Sequence, residues 1–430
     1  MHIKQRQIRT TAVRPQNPGK KYLLPYFHRS FGNDVPGRVG EFTPDHQLCP
    51  DSLILRPKGC NHIMLFPGSF NPPHRGHLDL LLHAFNNAGD DLHLVSAIVL
   101  PTDDEKLCDK TSGEERSIVI PKTDRAYILR HAVAKDNKWA FVYKGSHTKW
   151  KEDRQKLEAD ARKDGIDLKF ILLVGPDWIT TTSLYDPEYW QCRNAITSDA
   201  SRPVDFRCPH TLRQLSGCTL WDKVRYEMFW LEKKIRAKTR GMAEEAINEA
   251  IKVAYLKLEN VSVCQTFRKP KRTIRFVSSN IDFQPPNPPS STKLRQILAS
   301  DEYAEMGAQL RENQALNPGA LLCCSFMHKI CDHLPCVDGH RFRCSVVKAS
   351  NGDGIKAIRI MILFLDILEI SKSTGYTLKT IARTALHVHK MLLELEKLRD
   401  AVGAEVVMDM GQKRVIERVK RSFRLDGRLK

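Results

Sequence analysis

The chain has 430 residues, 41% apolar and 27% charged, with 68 basic against 50 acidic side chains and a formal net charge of +18. This length exceeds one ordinary core and suggests two or three compact units at roughly 150 residues each, while the composition excludes a disordered or fibrous chain. The positive balance favours an anionic partner, whether nucleotide, nucleic acid or acidic membrane, without choosing among them.

Residues 1–60 mix Pro, Gly, Asn and charges without sustained periodicity, so they read as an irregular N-terminal extension. Met1–Thr11 is charged but has no following apolar run of signal-peptide length, so secretion is not expected. With no secretory signal, the twelve cysteines read as reduced thiols of a cytoplasmic or nuclear protein.

From Asn61 the pattern changes. His62–Phe66 is a short apolar run, a Gly/Pro turn follows, and Leu78, Leu81, Leu82 and Phe85 recur at helical spacing. Further apolar runs at Leu94–Leu100, Ala140–Tyr143, Phe170–Val174 and Ile274–Val277 alternate with helical patterns at Thr123–Ala134, Trp150–Lys163 and Trp221–Ala237. Such alternation predicts an α/β, doubly wound parallel sheet of the Rossmann-like kind, with its ligand beyond the carboxyl ends of the strands. The prolines of Gln284–Pro289 require a loop, and Ser290-Ser291-Thr292 opens a helix through Leu294, Ile297 and Leu298. The alternation stops near residue 322. The expected organisation is therefore an extension over 1–60, a domain over 61–322 with a long insertion at about 178–285, and a mainly helical region over 323–430.

The turn after the first strand reads Gly68-Ser69-Phe70-Asn71-Pro72-Pro73-His74-Arg75-Gly76-His77. Gly68 permits a tight turn, Gly76 allows a ligand to approach, and the spacing of His74 and His77 predicts both imidazoles on one face of the first helical turn. A helix start of this kind attracts phosphate, and two histidines add donors able to follow charge into a transition state. The second segment, Ser290-Ser291-Thr292-Lys293-Leu294-Arg295, places hydroxyls and free N–H groups at a helix start with an arginine one turn later. Capping alone explains such hydroxyls, and pairing with the first segment points instead to a polyphosphate clamp.

These two segments resemble the signatures of adenylyltransferases and cytidylyltransferases with a His-x-Gly-His motif. The long form of the first is most similar to nicotinamide and nicotinate mononucleotide adenylyltransferases. The resemblance covers roughly residues 61–300 and implies a nucleotidyltransferase domain. It implies ATP and a mononucleotide as substrates, attack on the α-phosphorus, release of pyrophosphate, and magnesium. It gives catalytic roles to His74, His77 and Arg295, and phosphate-binding roles to Gly68, Ser69, Phe70, Asn71, Gly76, Ser290, Ser291 and Thr292, with Lys106 or Lys110 as an added charge. Gly175, Asp177 and Asn287 are expected beside the adenosine, and Trp190 and Trp150 are candidates for the pyridine ring. Asp177 as a helix cap and Trp190 as a core residue remain alternative readings. A cytidylyltransferase, an adenylyltransferase for another phosphorylated acceptor, and a non-catalytic basic scaffold are the competing functions.

Between Cys323 and Cys344 lie five cysteines and three histidines, from which Cys324, Cys331, Cys336 and His340 could assemble a zinc site. The irregular spacing and the expected reduced state argue against metal. Ile358–Ile370 is too short to span a membrane, Thr377–Arg399 has the spacing of a packing helix, and the basic tail from Gln412 reads as a solvated face. The scattered basic residues, with clusters at Lys233–Arg236 and Arg268–Arg272, lack an RNA-binding aromatic signature, so nucleic acid is not an expected partner; homo-oligomerisation stays open.

Overall fold

The computed structural model describes residues 21–31, 53–57, 59–111, 118–134, 139–279, 287–300, 303–322 and 324–325. The chain divides into two compact units, one built from Met1–Ser69, Gly76–Asp103 and Leu129–Pro288, the other from Phe70–Arg75, Asp104–Ile128 and Pro289–Lys430. Residues 61–322, read from the sequence as one domain, fall across both.

In the first unit, β1 (Lys21–Tyr22) pairs antiparallel with β2 (Ile54–Leu55), and α1 (Leu23–Phe31) lies between them in the chain. This part of the N-terminal extension is therefore regular rather than irregular. Pro25 sits in the first turn of α1, where its missing N–H costs no helical bond. Leu23, Tyr26, Phe27 and Phe31 are buried in the main core, with Phe27 5.0 Å from the Phe141 ring and Phe31 5.8 Å from Tyr143.

The sheet begins with β3 (Cys60–Gly68), followed by α2 (Arg75–Asn87) and β4 (Leu94–Pro101). After α3 (Asp104–Thr111) and α4 (Lys122–Ala134) come β5 (Ala140–Val142), α5 (His147–Lys163), β6 (Asp167–Leu173) and β7 (Ala195–Ser198). The unit continues with β8 (Asp222–Lys223), α6 (Met228–Lys238), α7 (Glu244–Glu259), β9 (Val261–Gln265) and β10 (Thr273–Val277). The eight strands run in the order β5-β4-β3-β6-β7-β10-β9-β8, parallel from β5 to β10 and antiparallel at β9 and β8. Every residue of β4 after Leu94 is buried, as expected for a parallel strand covered on both faces.

Two sequence expectations change here. The span 178–285 is not merely an insertion, because β7, β9 and β10 complete one half of the sheet. The helix expected over Trp221–Ala237 begins only at Met228; Asp222 and Lys223 instead pair with Val263 and Ser262 of β9.

Successive strands step from β3 through β4 to β5, and β6 then returns to the other side of β3. The β3/β6 junction is thus the topological switch point, where an open α/β sheet leaves a crevice beyond its carboxyl ends. The ends of these strands are Gly68 and the Leu173-Val174-Gly175 turn.

The second unit contains α3, the start of α4, α8 (Ser291–Ala299) and α9 (Tyr303–Glu312). Its core joins Ile118, Ile120 and Ile128 to Leu294, Leu298, Met306, Leu310 and Leu321.

Candidate active site

In the first unit, the Gly68 carbonyl at the end of β3 accepts from the Thr102 backbone N–H (2.9 Å) and hydroxyl (3.1 Å), tying together the ends of β3 and β4. Ser69 is half-buried and Gly76 buried, with half-buried His77 in the first turn of α2. At the end of β6, a Cβ on Gly175 would stand 2.6 Å from Asp177 Oδ1, so only glycine lets that carboxylate lie against the turn. Asp177 itself is exposed.

An aromatic platform follows. Trp178 is 43% exposed and packs edge-on to Tyr185 at 4.3 Å. Trp190 donates from Nε1 to the Tyr185 hydroxyl (2.8 Å) and lies 4.4 Å from the His147 ring. Burial pushes the Tyr185 phenol above its ordinary pKa despite that bond, so it stays neutral. The platform is held by two arginines that sequence reasoning did not single out for this role. Arg272 forms ion pairs with Asp186 and Glu188 on either side of Pro187, and Arg154 donates to the carbonyls of Trp190 and Gln191. Burial works against the Asp186 carboxylate, but the bond and charge of Arg272 and the Glu188 backbone N–H together outweigh it and keep its pKa below the ordinary range. Nothing in the spacing of Arg154 or Arg272 relative to Trp190 signals these contacts, which depend on the fold.

Trp150 does not belong to this platform. It is 2% exposed, with Phe31, Tyr143 and Phe170 within 6.1 Å of its ring, so it is a core residue and has no face for a substrate.

Also missed from the sequence is a buried polar junction at the ends of β7 and β10. Asp199, fully buried, accepts from the Ser279 N–H at 2.7 Å and from the Arg207 guanidinium, which also donates to the Ser279 carbonyl at 3.0 Å. His83 of α2 meets the Ser278 carbonyl at 3.2 Å.

The second unit carries the other part of the glycine- and histidine-containing string. The chain enters at Phe70, which is buried with a left-handed φ of 46°, and leaves at Arg75. The Asn71 amide donates to the Ile118 carbonyl (3.0 Å) and accepts from the Ile120 N–H (3.0 Å). The side chains of Phe70 and Asn71 thus hold the loop itself. The placement of His74 differs from the one expected. It is 2% exposed and bridges Ala315 before α2 begins at Arg75, so it does not share a helical turn with His77.

Around this loop the second motif assembles. Ser291 Oγ donates to the Pro72 carbonyl (3.0 Å); Arg295 donates from Nη1 to the Asn71 carbonyl (2.8 Å) and from Nη2 to Thr292 Oγ1 (3.1 Å). Ser290 is the N-cap by backbone geometry yet its side chain makes no capping bond. Capping therefore does not account for these hydroxyls. Thr292 and Asn287 are exposed, and Ser290 is half-buried. Lys106 is exposed on α3, close in sequence to Asp104, whose carboxylate accepts from buried Arg125 at 2.6 Å.

Among the described residues no three His, Cys, Asp or Glu side chains converge on a possible metal position. Cys324 is buried and its thiol lies 3.7 Å from Asp124 Oδ2. Cys331, Cys336 and His340 lie outside the described residues, as do the helix expected over Thr377–Arg399 and the basic tail. No described helix is long and apolar enough to cross a membrane.

A family model described as cytidylyltransferase-like matches residues 65–297, a span that includes both motifs and most of the sheet. No curated protein matches the chain.

Proposed function

Because the chain belongs to the cytidylyltransferase-like family and is therefore a nucleotidyltransferase with nucleotide substrates, we propose that it transfers the adenylyl group of ATP to nicotinamide or nicotinate mononucleotide. The observation that carries this reading is the Arg295 bridge, in which one guanidinium donates to the loop of the histidine string at Asn71 and to Thr292 of the second motif. A planar fork of donors fixed in this way suits a polyphosphate.

In this reaction a phosphate oxygen of the acceptor attacks the α-phosphorus of ATP in line, one P–O bond forms, and the bond to the bridging oxygen breaks to release pyrophosphate. No enzyme-bound intermediate is needed, so the protein contributes positioning and charge stabilisation. His74 and His77 donate to phosphate oxygens as negative charge builds on them. Ser290, Ser291, Thr292 and Arg295 hold the leaving pyrophosphate through hydroxyls, helix-start N–H groups and the guanidinium. Lys106 adds a cation. Magnesium would enter with the nucleotide substrate and would neutralise phosphate charge there. Gly68, Ser69 and Gly76 lie against the phosphates, Gly175, Asp177 and Asn287 bound the nucleoside, and Trp190 gives a flat apolar face to the acceptor ring.

The test is pyrophosphate release from ATP or CTP with nicotinamide mononucleotide, nicotinate mononucleotide or phosphopantetheine as acceptor. Release with ATP and a pyridine mononucleotide supports the proposal. Release only with CTP, or only with phosphopantetheine, overturns it and leaves the family's general activity standing.

A further inference from the structure

Helix α6 buries Leu231 and Ile235 against Ile247, Ile251, Ala254 and Leu258 of α7. At 3.6 residues per turn its opposite face carries Phe229, Trp230, Lys233 and Arg236. A solvent-facing stripe is ordinarily polar. Here Met228, Phe229 and Trp230 are consecutive and 52%, 69% and 51% exposed. They belong neither to the core nor to the aromatic platform.

Charge accompanies the apolar residues. Residues 220–242 hold seven Lys or Arg against three Asp or Glu. Some of these cations have local partners, including Arg236 with Glu244 and Arg225 with Asp222. Lys233 instead lies over the rings, 4.9 Å from Trp230 and 6.0 Å from Phe229.

Three kinds of occupant have the chemistry for such a surface. Nucleic acid would stack its bases on the aromatic faces, but Lys233 lies over one face of Trp230 at 4.9 Å and competes for it. A second copy of the chain needs an interface of about 800 Å² per partner, and three side chains on one helical turn fall well short. A lipid surface needs neither an open ring face nor a large footprint. Phe and Trp settle at the headgroup level, Met enters the acyl boundary, and a long Lys side chain reaches back to a phosphate or carboxylate.

We propose that the start of α6 is a peripheral membrane-docking surface that inserts Met228, Phe229 and Trp230 into anionic bilayers, with Lys233 on the headgroups. This inference is independent of the nucleotidyl acceptor.

The experiment is flotation of the full chain with phosphatidylcholine vesicles with and without phosphatidylserine. The protein is expected to float with the anionic vesicles and to be released by salt. The Phe229→Ser/Trp230→Ser double variant lowers the bound fraction about tenfold or more, and Lys233→Glu weakens binding with both rings intact. Thermal unfolding and pyrophosphate release of both variants stay at the wild-type level, which separates lost docking from lost folding. Equal flotation with neutral vesicles, or wild-type flotation of the double variant, overturns the proposal. So does a wild-type chain that ignores vesicles but binds RNA or self-associates in a manner abolished by the same double variant.

Discussion

Replacing Arg295 by alanine tests whether the bridge between the two motifs acts on the reaction or only on the fold. The bonds of the side chain include those to the Asn71 carbonyl and the Thr292 hydroxyl, while its neighbours Leu294 and Leu298 fill the core of the second unit. Losing the half-buried bond to Asn71 and the exposed bond to Thr292 costs roughly 1–2 kcal/mol of stability, a drop in Tm of about 2–8 °C. Losing a donor to developing phosphate charge costs more, about 2.7–4 kcal/mol in the barrier, or roughly 100- to 1000-fold in kcat. The assay pairs steady-state pyrophosphate release with thermal unfolding on the same preparations, well below the variant's Tm. Arg295→Lys separates the effects further, because one ammonium retains the charge and can bond to either partner but lacks the planar fork. It should recover most of the stability and little of the rate. A kcat for Arg295→Ala within about twofold of wild type would refute the reasoning, as would complete recovery of kcat by lysine.

The two tryptophans should part company. Trp150→Ala removes a core side chain and is expected to cost about 3–5 kcal/mol of stability, whereas Trp190→Ala, which loses half-buried packing and one bond to Tyr185, should lower the Tm less than Trp150→Ala does and raise the acceptor KM about tenfold with little change for ATP; the reverse pattern would contradict their assignments. Gly175→Ala pushes a Cβ to 2.6 Å from Asp177 Oδ1, so displacement of that exposed carboxylate should raise the KM for ATP about tenfold without a matching loss of Tm; an unchanged KM would remove the Gly175–Asp177 turn from the nucleoside site. Burial holds the pKa of both His62 and His83 below the ordinary 6.5. The unfolded chain therefore takes up protons first as pH falls, so their contribution is complete above about pH 6.5 and declines below it until the folded pKa values are reached. Tm should fall between about pH 7 and pH 5.5, and the fall should be shallower in His62→Gln/His83→Gln; an equal slope in the two proteins would refute this linkage.

The sequence made the central strands visible because their side chains are buried on both faces. Ala97–Leu100 of β4 and Phe170–Leu173 of β6 read as unbroken apolar runs for that reason. β7 escaped because it has only four residues, Ala-Ile-Thr-Ser, two of them buried polar groups whose environment is created by neighbouring strands. α1 escaped because the extension around it mixes Pro, Gly, Asn and charges without sustained periodicity, although Pro25 in the first turn of the helix breaks nothing. At the site, the glycine turn, the histidines and the Ser-Ser-Thr-x-x-Arg segment were legible as local chemistry. The packing around them was not. Asn71 and Phe70 serve the loop, His74 precedes the helix, and the arginines holding Trp190 come from α5 and the segment before β10, 36 and 82 positions from it. Such long-range pairs have no periodicity to read.

Transfer of label from [α-32P]ATP tests the central claim most directly. With nicotinamide mononucleotide or nicotinate mononucleotide present, the account predicts that the label appears in a dinucleotide, that pyrophosphate leaves unlabelled, and that His77→Ala abolishes both while the protein stays folded. Label retained in ATP or recovered only in AMP, or a fully active His77→Ala variant, would contradict it.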